Sequence, residues 1–410
     1  MRARVLMVVL TNYPGDTRVR REAEALVARG ATVDVICPWT PALGDRRSLA
    51  GVRLFPTGTL EQGGELSPLA YIVRDVAFVA RATLKALRLS RRNHYDVVQV
   101  HTMPDYLVLS AAYPKLMGAR VLLDVHDLVP ELYAAKFGVD EQSKVIKLMQ
   151  FVERKCIAFA DHALAVHRPH LGALVRHGNP EEKFTVVMNA PDPRFFVRRR
   201  AAPSGTDPFV LLYHGTISRR HGLENAIRAV ELARQSYGDI RLEIVGDGDD
   251  VDRLSALVDE RGLHGVVEIE RGLRPIEELK PILDRASVGI VPIVDNAFTR
   301  YMLPVKLLEY VALGIPVICA STTTIRAYFD ETMVLFFRSE DEEELAAKIV
   351  ALRADPELRR RLVDGADRFL EHHSWERERD RYCALVEALA AARGSQVGKR
   401  TRQLRERTLG

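Results

Sequence analysis

Short apolar runs alternate with amphipathic, helix-like stretches through both halves of the chain. The first half predicts strands over Arg4–Leu10, Thr32–Cys37, Val97–Val100, Arg120–Val125 and His162–Val166. The second half predicts strands over Val210–His214, Arg241–Val245, Val266–Glu270, Val288–Pro292 and Pro316–Ala320. Helical patterns lie between them, near Thr17–Arg29, Leu223–Gln235, Val251–Arg261, Ile276–Arg285 and Pro304–Leu313. Apolar strands that alternate with helices are typical of sheets covered on both faces, so we predict doubly wound, parallel α/β domains.

One interruption divides this pattern into two domains. Residues 198–208 read "RRRAAPSGTDP", which is charged and then rich in proline, glycine and small residues, as is typical of a linker. We therefore predict one Rossmann-like domain over 1–197 and a second over 209–374. Residues 375–393 are predicted to form a C-terminal helix that can pack back on the first domain, and the basic tail 394–410 is predicted to be disordered.

Composition narrows the class of protein. The chain has 410 residues and a net charge of +4, which permits an anionic ligand or membrane surface but does not indicate nucleic acid. No apolar run reaches the roughly 18–20 residues of a membrane-spanning helix, and the first run reads as a strand rather than a signal peptide. The four cysteines are scattered without metal-like spacing, which favours free thiols and a cytoplasmic location.

Ligands of parallel α/β sheets bind beyond the carboxyl ends of the strands, so the loops after the strands hold the candidate residues. The first loop contains Pro14, Gly15 and Asp16. Its single glycine does not make a dinucleotide-binding fingerprint, and Asp16 can equally be a helix cap. We place this loop on the acceptor side of a site in the first domain.

Two histidines occupy the same position after successive strands of the first domain. His101 follows Val97–Val100, and His126 follows Arg120–Val125. A lone histidine is usually structural, but two at one sheet edge favour a site. Asp127 and Glu131 stand beside His126 and can be acids, orienting groups or caps.

The second domain begins with a loop that is typical of an anion site. Gly215 and Thr216 end a strand, and Arg219, Arg220 and His221 follow in "HGTISRRHG". Arginine forks could clamp a diphosphate; the simpler alternative is a solvated basic loop.

The next loop, "IVGDGDD", carries Gly246, which we place on the donor side, and the acids Asp247 and Asp249. An Asp-x-Asp metal site is one interpretation of these acids. Helix capping and the helix dipole explain them without a metal, so we predict no metal site.

The stretch "LPVKLLEY" places two charges inside an apolar run. Lys306 and Glu309 share a helix face, and a simple i,i+3 ion pair would stabilise the helix by about 0.2–0.5 kcal/mol. The alternative is a ligand beyond the helix start, where Pro304 leaves the N–H groups of Val305 and Lys306 free for a phosphate. Glu309 would then accept hydrogen bonds from two ribose hydroxyls.

Several segments in this order resemble glycosyltransferase family 4. They are "DTRVRREAEALVARG", "YDVVQVHTMPD", "LLDVHDLVPE", "YHGTISRRHGLENAI", "RLEIVGDGD", "VVEIERGLRPIEELKPILDRASVGIVPI" and "LPVKLLEYVALGIPVI". The resemblance implies the GT-B fold, with two facing Rossmann-like domains and an interdomain cleft. It also implies transfer from a nucleotide-diphosphate sugar (UDP-, GDP- or a similar donor) with retention at the anomeric carbon, and without a metal or other cofactor.

The resemblance assigns roles residue by residue. Glu309 matches the second acid of the E-x7-E signature, which holds the ribose; His126 matches the histidine against the donor sugar; Gly215 and its turn match the diphosphate loop. Three positions depart from the family pattern: its first acid falls on Tyr301, its arginine on Thr216 and its lysine on His221. We expect Arg219 or Arg220, together with Lys306, to take over the diphosphate charge.

The sequence therefore predicts a retaining, metal-independent glycosyltransferase that acts on a saccharide or lipid-linked acceptor in cell-surface polysaccharide or glycolipid synthesis. His126, Arg219 and Lys306 are the predicted catalytic residues. Two alternatives stay open: a nucleotide-sugar epimerase of the same fold, and a non-catalytic nucleotide-sugar-binding partner protein, which the three departures motivate.

Residues 67–92 bear on location. An apolar stripe is combined with basic residues: Leu69, Ile72, Val73, Val76 and Val79 with Arg74, Arg81, Lys85 and Arg88. The simpler interpretation is a core helix with a solvated basic face. The alternative is reversible docking on anionic lipid at the inner face of the membrane.

Overall fold

The computed structural model describes residues 3–59, 68–199, 208–272, 274 and 276–408. The chain divides into two units. The first comprises Met1–Met188 and Glu376–Gly410, and the second comprises Asn189–Trp375. The first boundary thus falls before residue 197, because the chain after Met188 is bonded into the second unit: Arg199 N donates to Leu313 O (3.1 Å). Most of the predicted linker, 198–208, lies outside the described residues.

An eight-stranded sheet forms the centre of the first unit. Its strands are β1 (Arg4–Val8), β2 (Thr32–Trp39), β3 (Ser48–Leu49), β4 (Val52–Thr59), β5 (Val97–His101), β6 (Arg120–Val125), β7 (His162–Ala165) and β8 (Phe184–Val186). Their order is β3-β4-β2-β1-β5-β6-β7-β8, and only the β3–β4 pair is antiparallel. The helices of the first unit are α1 (Thr17–Ala28), α2 (Pro68–Arg92), α3 (Ala112–Leu116), α4 (Val129–Phe137), α5 (Lys144–Phe159) and α6 (Arg168–Arg176).

A six-stranded, all-parallel sheet forms the centre of the second unit. Its strands are β9 (Phe209–Thr216), β10 (Ile240–Asp247), β11 (Val267–Arg271), β12 (Val288–Val291), β13 (Val317–Ala320) and β14 (Leu335–Phe337), in the order β11-β10-β9-β12-β13-β14. The helices are α7 (Leu223–Ala233), α8 (Val251–Glu260), α9 (Ile276–Arg285), α10 (Val305–Leu313), α11 (Thr323–Tyr328), α12 (Glu342–Ala354) and α13 (Pro356–His372). The prediction of two parallel α/β domains is confirmed.

A long last helix, α14 (Trp375–Thr408), is docked on the first unit. The Tyr382 hydroxyl donates to Gln99 Oε1 (2.6 Å), and Glu378 Oε2 accepts from Met188 N (2.9 Å). The tail predicted to be disordered is helical as far as Thr408. The tail contains Gly394 and Gly398, which are poor helix formers, but it extends an existing helix, so no new nucleation is needed.

The buried face of α2 is not the apolar stripe that the core-helix interpretation places against the core. The buried positions of the described part of α2 are Phe78, Ala82, Ala86 and Ser90, four residues apart, whereas Ile72 and Val76 are more than half exposed. The core-facing stripe is thus rotated away from the most apolar positions, and the side chain of Leu69 lies outside the described residues. None of the helices in the described part of the chain is both long and apolar enough to span a membrane.

A stability test follows from Gly289 in β12. A Cβ atom added there would lie 2.3 Å from Cδ2 of the buried Tyr310. Because that ring is fixed inside the core, we expect Gly289→Ala to lower the free energy of unfolding by about 1–3 kcal/mol, the usual cost of overpacking. Gly238→Ala is the matched control, since its Cβ would meet nothing within 4 Å. Urea unfolding measures both, and equal stability of the two variants would contradict the packing described for Tyr310.

Candidate active site

A buried carboxylate, that of Asp124, lies near the carboxyl end of β6 in the first unit. Both of its oxygens accept from Arg18 of α1: Nε to Oδ2 at 2.9 Å and Nη2 to Oδ1 at 2.8 Å. Arg18 also donates to Val187 O (2.9 Å). A bidentate arginine fixes the carboxylate plane, so Asp124 is held in one orientation.

Two imidazoles share one oxygen of this carboxylate. His101 Nδ1 lies 3.1 Å and His126 Nε2 lies 3.0 Å from Asp124 Oδ2, and the two nitrogens are 3.2 Å apart. The register of the sheet explains this meeting, because His101 pairs with Asp124 across β5 and β6. The structure therefore brings together the two histidines that the sequence placed at one sheet edge.

Burial and neighbouring charges shift the pKa values of Asp124, His101 and His126 in different directions. Burial would raise the pKa of Asp124, but the charge of Arg18 holds it well below its usual range. Burial lowers the pKa of His101. At His126 burial is overcome by the charge of Asp124, so that its pKa is raised. His126 is therefore the imidazole of this pair that protonates more readily.

A metal ion is a second way to use these three groups. One ligand atom each from His101, Asp124 and His126 lie within 4.8 Å of one another, and two imidazoles with a carboxylate are a common ligand set. The guanidinium of Arg18 occupies both carboxylate oxygens, however, and would repel a cation there. The geometry therefore favours a hydrogen-bonded cluster.

The other acceptor-side candidates lie in different local settings. Asp16 caps α1 by accepting from Val19 N (3.1 Å), and it also accepts from the Thr11 hydroxyl (2.8 Å). The capping alternative thus applies to Asp16, and Pro14 and Gly15 form the turn that precedes it. Asp127 lies half-buried in the short loop between β6 and α4.

Glu131 is committed to a different cluster from that of His126. It accepts from His177 Nε2 (2.8 Å), and His177 Nδ1 lies 3.1 Å from Glu153 Oε2. Burial opposes a charge on His177, but the two glutamates outweigh it and raise its pKa to about 9. We therefore assign Glu131 a structural ion pair in place of the predicted contact with an acceptor.

The second unit places a lysine against a glycine loop. Lys306, in the first turn of α10, donates from Nζ to the Tyr213 hydroxyl (3.0 Å) and lies 4.1 Å from the centre of that ring. A Cβ atom on Gly215, whose φ is +109°, would lie 3.6 Å from Lys306 Cε. A Cβ atom on Gly246 would lie 1.8 Å from Gly215 O, so the ends of β9 and β10 meet there only because Gly246 has no side chain.

The structure does not show the i,i+3 ion pair between Lys306 and Glu309, so that interpretation of the two charges is wrong. Glu309 Oε2 lies 2.7 Å from His214 Nε2. His214 Nδ1 lies 2.9 Å from the Tyr310 hydroxyl, which donates to Leu212 O (2.8 Å). His214 is not among the residues predicted for the site, although a histidine directly before the loop glycine is a visible signal.

The basic loop divides into exposed and buried members. The side chain of Arg219 is 82% exposed and approaches Asp250 only to 3.9 Å. Nε of Arg220 is buried and has no hydrogen-bond partner in the part of the chain that the structure describes. His221 is buried beside the Ser218 hydroxyl (3.0 Å), and burial with the nearby Lys306 lowers its pKa to about 2. Of the two arginines that the sequence left open, the geometry favours Arg220 for an inward-facing charge.

The start of α10 and the loop after β10 complete the placement of the predicted residues. Pro304 precedes the helix in an extended conformation, and Val305 is the first helical residue, so its N–H lies at the free helix start. Thr216 is exposed, and its carbonyl accepts from the Tyr213 hydroxyl. Asp247 is half exposed and accepts from Gly248 N (2.9 Å), as expected of a turn residue.

The pKa of Lys306 gives a test that needs no ligand. Burial lowers this pKa from 10.5 to about 7, against the opposing charge of Glu309 and with help from Arg220. Between these values the unfolded chain binds more protons than the folded chain, so this group destabilises the fold progressively as the pH falls through that window. Lys306→Met should therefore raise the free energy of unfolding more at pH 6 than at pH 9.5.

Urea titrations at the two pH values measure this difference. Lys280→Met, at an exposed site, controls for the added apolar surface. A gain for Lys306→Met that is the same at both pH values would contradict the lowered pKa.

Two protein-family descriptions match the chain, one in each unit. The glycosyl transferase 4-like domain matches residues 15–190, and glycosyl transferases group 1 matches residues 196–369. Among curated relatives, the putative colanic acid biosynthesis glycosyltransferase WcaL of Escherichia coli (strain K12) is 34% identical over 149 residues, which is 36% of each chain. The D-inositol 3-phosphate glycosyltransferase of Thermomonospora curvata is 25% identical over 90% of this chain and 89% of its own.

Solved structures agree over nearly the whole length. A sucrose-phosphate synthase from Thermosynechococcus elongatus has a TM-score of 0.76 at 21% identity, covering 95% of this chain and 100% of its own. Anabaena HepE in complex with UDP-glucose has a TM-score of 0.71 at 15% identity, covering 94% and 99%. The chain therefore has the GT-B fold, with one unit matched by the glycosyl transferase 4-like family and the other by glycosyl transferases group 1.

Proposed function

We propose that this protein is a retaining glycosyltransferase that moves a sugar from a nucleotide-diphosphate sugar to a saccharide or lipid-linked acceptor. The observation that carries this proposal is the arrangement of Gly215, Lys306 and Glu309 in the second unit. A glycine loop, a lysine whose burial is not matched by an ion pair, and a carboxylate with one unpaired oxygen lie on neighbouring elements. Each has a chemical counterpart in a nucleoside diphosphate.

The diphosphate would neutralise the positive charges of this site. Lys306 is disfavoured in its charged form by burial, and an anion beside it removes that cost. The N–H groups at the start of α10, from Val305 onward, add a helix terminus that suits a phosphate. Arg220 supplies a further charge, and Gly215 and Gly246 leave room for the ligand at the strand ends.

The ribose would bind to Glu309. His214 uses Oε2, which leaves Oε1 as an acceptor. A carboxylate makes charge-assisted hydrogen bonds with hydroxyl groups, and His214 fixes its orientation. The base stays open between UDP, GDP and similar donors; HepE, crystallised with UDP-glucose, makes a uridine donor the first to try.

Catalysis would rest on the charge that develops on the leaving diphosphate. Preorganised cations and N–H groups stabilise such a charge without a metal ion. We propose a same-face substitution, in which the leaving diphosphate helps to deprotonate the acceptor and His126 contacts the donor sugar. Asp124 is a poor candidate for a covalent nucleophile, because Arg18 and the two histidines engage its oxygens.

Relatives support a role in polysaccharide synthesis. Besides WcaL, they include the amylovoran biosynthesis glycosyltransferase AmsK of Erwinia amylovora, which is 28% identical over 44% of each chain. We propose that the acceptor is a growing saccharide or its lipid-linked form.

The surface of α2 supports a membrane location for such an acceptor. Ile72, Val73 and Val76 are 55%, 60% and 52% exposed, although each is apolar. Neighbouring α3 adds Leu116, which is 79% exposed, and Arg81 and Arg88 of α2 are exposed. We propose that this face of the first unit, with its apolar and basic groups, docks reversibly on anionic lipid at the inner face of the membrane.

An assay with nucleotide sugars and saccharide acceptors tests the proposal as a whole. We expect turnover to a longer saccharide in excess chelator. Conversion of the donor to an epimeric sugar without transfer would favour an epimerase, and donor binding without any turnover would favour a non-catalytic partner protein. Loss of activity in chelator, restored by magnesium or manganese, would contradict the metal-independent mechanism.

Glu309→Gln tests the ribose contact. We expect the affinity for the nucleoside diphosphate to fall by roughly 1.5–3 kcal/mol, the range for hydrogen bonds to charged groups, while the nearly isosteric change preserves the fold. Calorimetric titration measures the affinity, and Glu268→Gln on the exposed side of β11 is the matched control. Equal affinity of both variants would remove Glu309 from the nucleotide site.

His126→Ala tests the contact with the donor sugar. We expect turnover to fall about 10- to 100-fold, as for the loss of a hydrogen bond to a partly charged group, with the affinity for the nucleoside diphosphate preserved. The nucleotide contacts proposed here lie in the other unit, which is why binding and turnover should separate. An equal loss of both would indicate a structural role.

The product linkage tests retention. With an α-linked donor, we expect an α-linked product by nuclear magnetic resonance. A β-linked product would exclude the same-face mechanism and would require a general base in the loops of the first unit.

Liposome flotation tests the docking surface. We expect binding to vesicles that contain anionic lipid at low salt, and release at high salt, because the basic groups are exposed to screening. Val73→Ser with Val76→Ser should weaken binding, whereas Val197→Ser, at another exposed apolar position, should not. Absence of wild-type binding at low salt would contradict the proposed docking.

A further inference from the structure

One carboxylate oxygen of Asp124 determines the hydrogen-bonding state of two imidazoles. Oδ2 accepts from Arg18 Nε and lies at hydrogen-bond distance from His101 Nδ1 and His126 Nε2. An ionised carboxylate can only accept. A histidine that bonds to Asp124 therefore carries its proton on the nitrogen that faces it. The 3.2 Å contact between the two ring nitrogens could be a hydrogen bond only if one of them lacked a proton, but a bare lone pair facing the carboxylate would be repelled, so the charge of Asp124 favours a proton on both.

The opposite ring nitrogens are then the free ones. His101 Nε2 is buried and has no hydrogen-bond partner among the described residues. His126 Nδ1 belongs to a side chain that is 16% exposed and makes its ring hydrogen bonds through Nε2. In the neutral form, each of these nitrogens presents a lone pair.

We propose that Asp124 is a positioning residue that fixes the tautomers of His101 and His126, so that His126 offers Nδ1 as a hydrogen-bond acceptor to a substrate hydroxyl. The identity of that hydroxyl, on a sugar, rests on the proposed function. A sugar hydroxyl can donate or accept, so a fixed tautomer of His126 decides that the hydroxyl bonded to Nδ1 acts as the donor.

A buried network keeps the carboxylate from rotating. Arg18 Nε lies 3.3 Å from Glu22 Oε1, and Glu22 Oε2 accepts from Gln99 Nε2 (2.7 Å). Gln99 in turn accepts from Tyr382 of α14, which connects the C-terminal helix to this centre.

The backbone of His126 is also fixed. Its N–H donates to the Thr102 hydroxyl at 3.0 Å. Both the carboxylate and the imidazole that it orients are thus held from two sides, as positioning requires.

A metal ion at the same three residues would give the opposite result. It would bind the lone pairs of His101 Nδ1 and His126 Nε2, and the ring protons would then lie on His101 Nε2 and His126 Nδ1. The two arrangements therefore predict opposite tautomers for both residues.

Nuclear magnetic resonance of the full chain labelled with ¹⁵N-histidine distinguishes these tautomers without substrate. His101→Gln and His126→Gln assign the signals. At a pH where both rings are neutral, we expect His126 with its proton on Nε2 and His101 with its proton on Nδ1, unchanged after treatment with chelator. The reverse tautomer at either residue, or a change on removing metal, would overturn the proposal.

Asp124→Asn tests whether the orientation of His126 affects turnover. We expect the variant to lose turnover at least tenfold, to keep its affinity for nucleoside diphosphate, and to show a changed tautomer at His126. Unchanged turnover with a changed tautomer would overturn the positioning role. If the variant does not fold, the wild-type spectrum still tests the proposed tautomers of His101 and His126. A wild-type protein with the expected tautomers but no transfer would refute the proposed function and not this inference.

Discussion

Both sheets are covered on both faces, and this constraint decides where charged chemistry can lie. Strand interiors such as Val5–Val8 and Ile318–Ala320 are buried throughout. A charged group inside such a layer needs a partner, because an unpaired charge in a low-dielectric interior is strongly disfavoured. Functional groups are therefore confined to the carboxyl ends of strands or to the adjoining helix starts.

The two units meet this constraint in different ways. In the first unit, the charge of Asp124 is paired with Arg18, so no bound ion is needed to balance it. In the second unit, Lys306 has a phenol hydroxyl and a ring as neighbours but no ion pair with any described residue. One centre is thus suited to orienting groups and the other to binding an anion, which is the division that the proposed transfer from a diphosphate donor needs.

The strands at the centres of the sheets followed from periodicity, because buried parallel strands are continuous apolar runs. The helices α1 and α7 to α10 followed from their amphipathic patterns, and the two-domain division followed from the composition of the linker. Four strands were missed. The strands β3, β8 and β14 have only two or three residues, which carry no period, and β4 contains Pro56 and Gly58, which interrupt a strand pattern. The partners of the site residues also escaped the sequence, since Glu309 meets His214 and Glu131 meets His177 only through tertiary packing. Asp124 left a signal that was not used: an acid inside an otherwise apolar strand requires a buried partner, and Arg18 is that partner.

A structure of the protein crystallised with a nucleoside diphosphate tests the central claim, that the second unit holds the nucleotide, most directly. We predict phosphate oxygens at hydrogen-bond distance from Lys306 Nζ and the start of α10, with both ribose hydroxyls on Glu309 while His214 keeps its contact. A nucleotide bound elsewhere, or a phosphate far from Lys306 with Glu309 bonded only to His214, would contradict it.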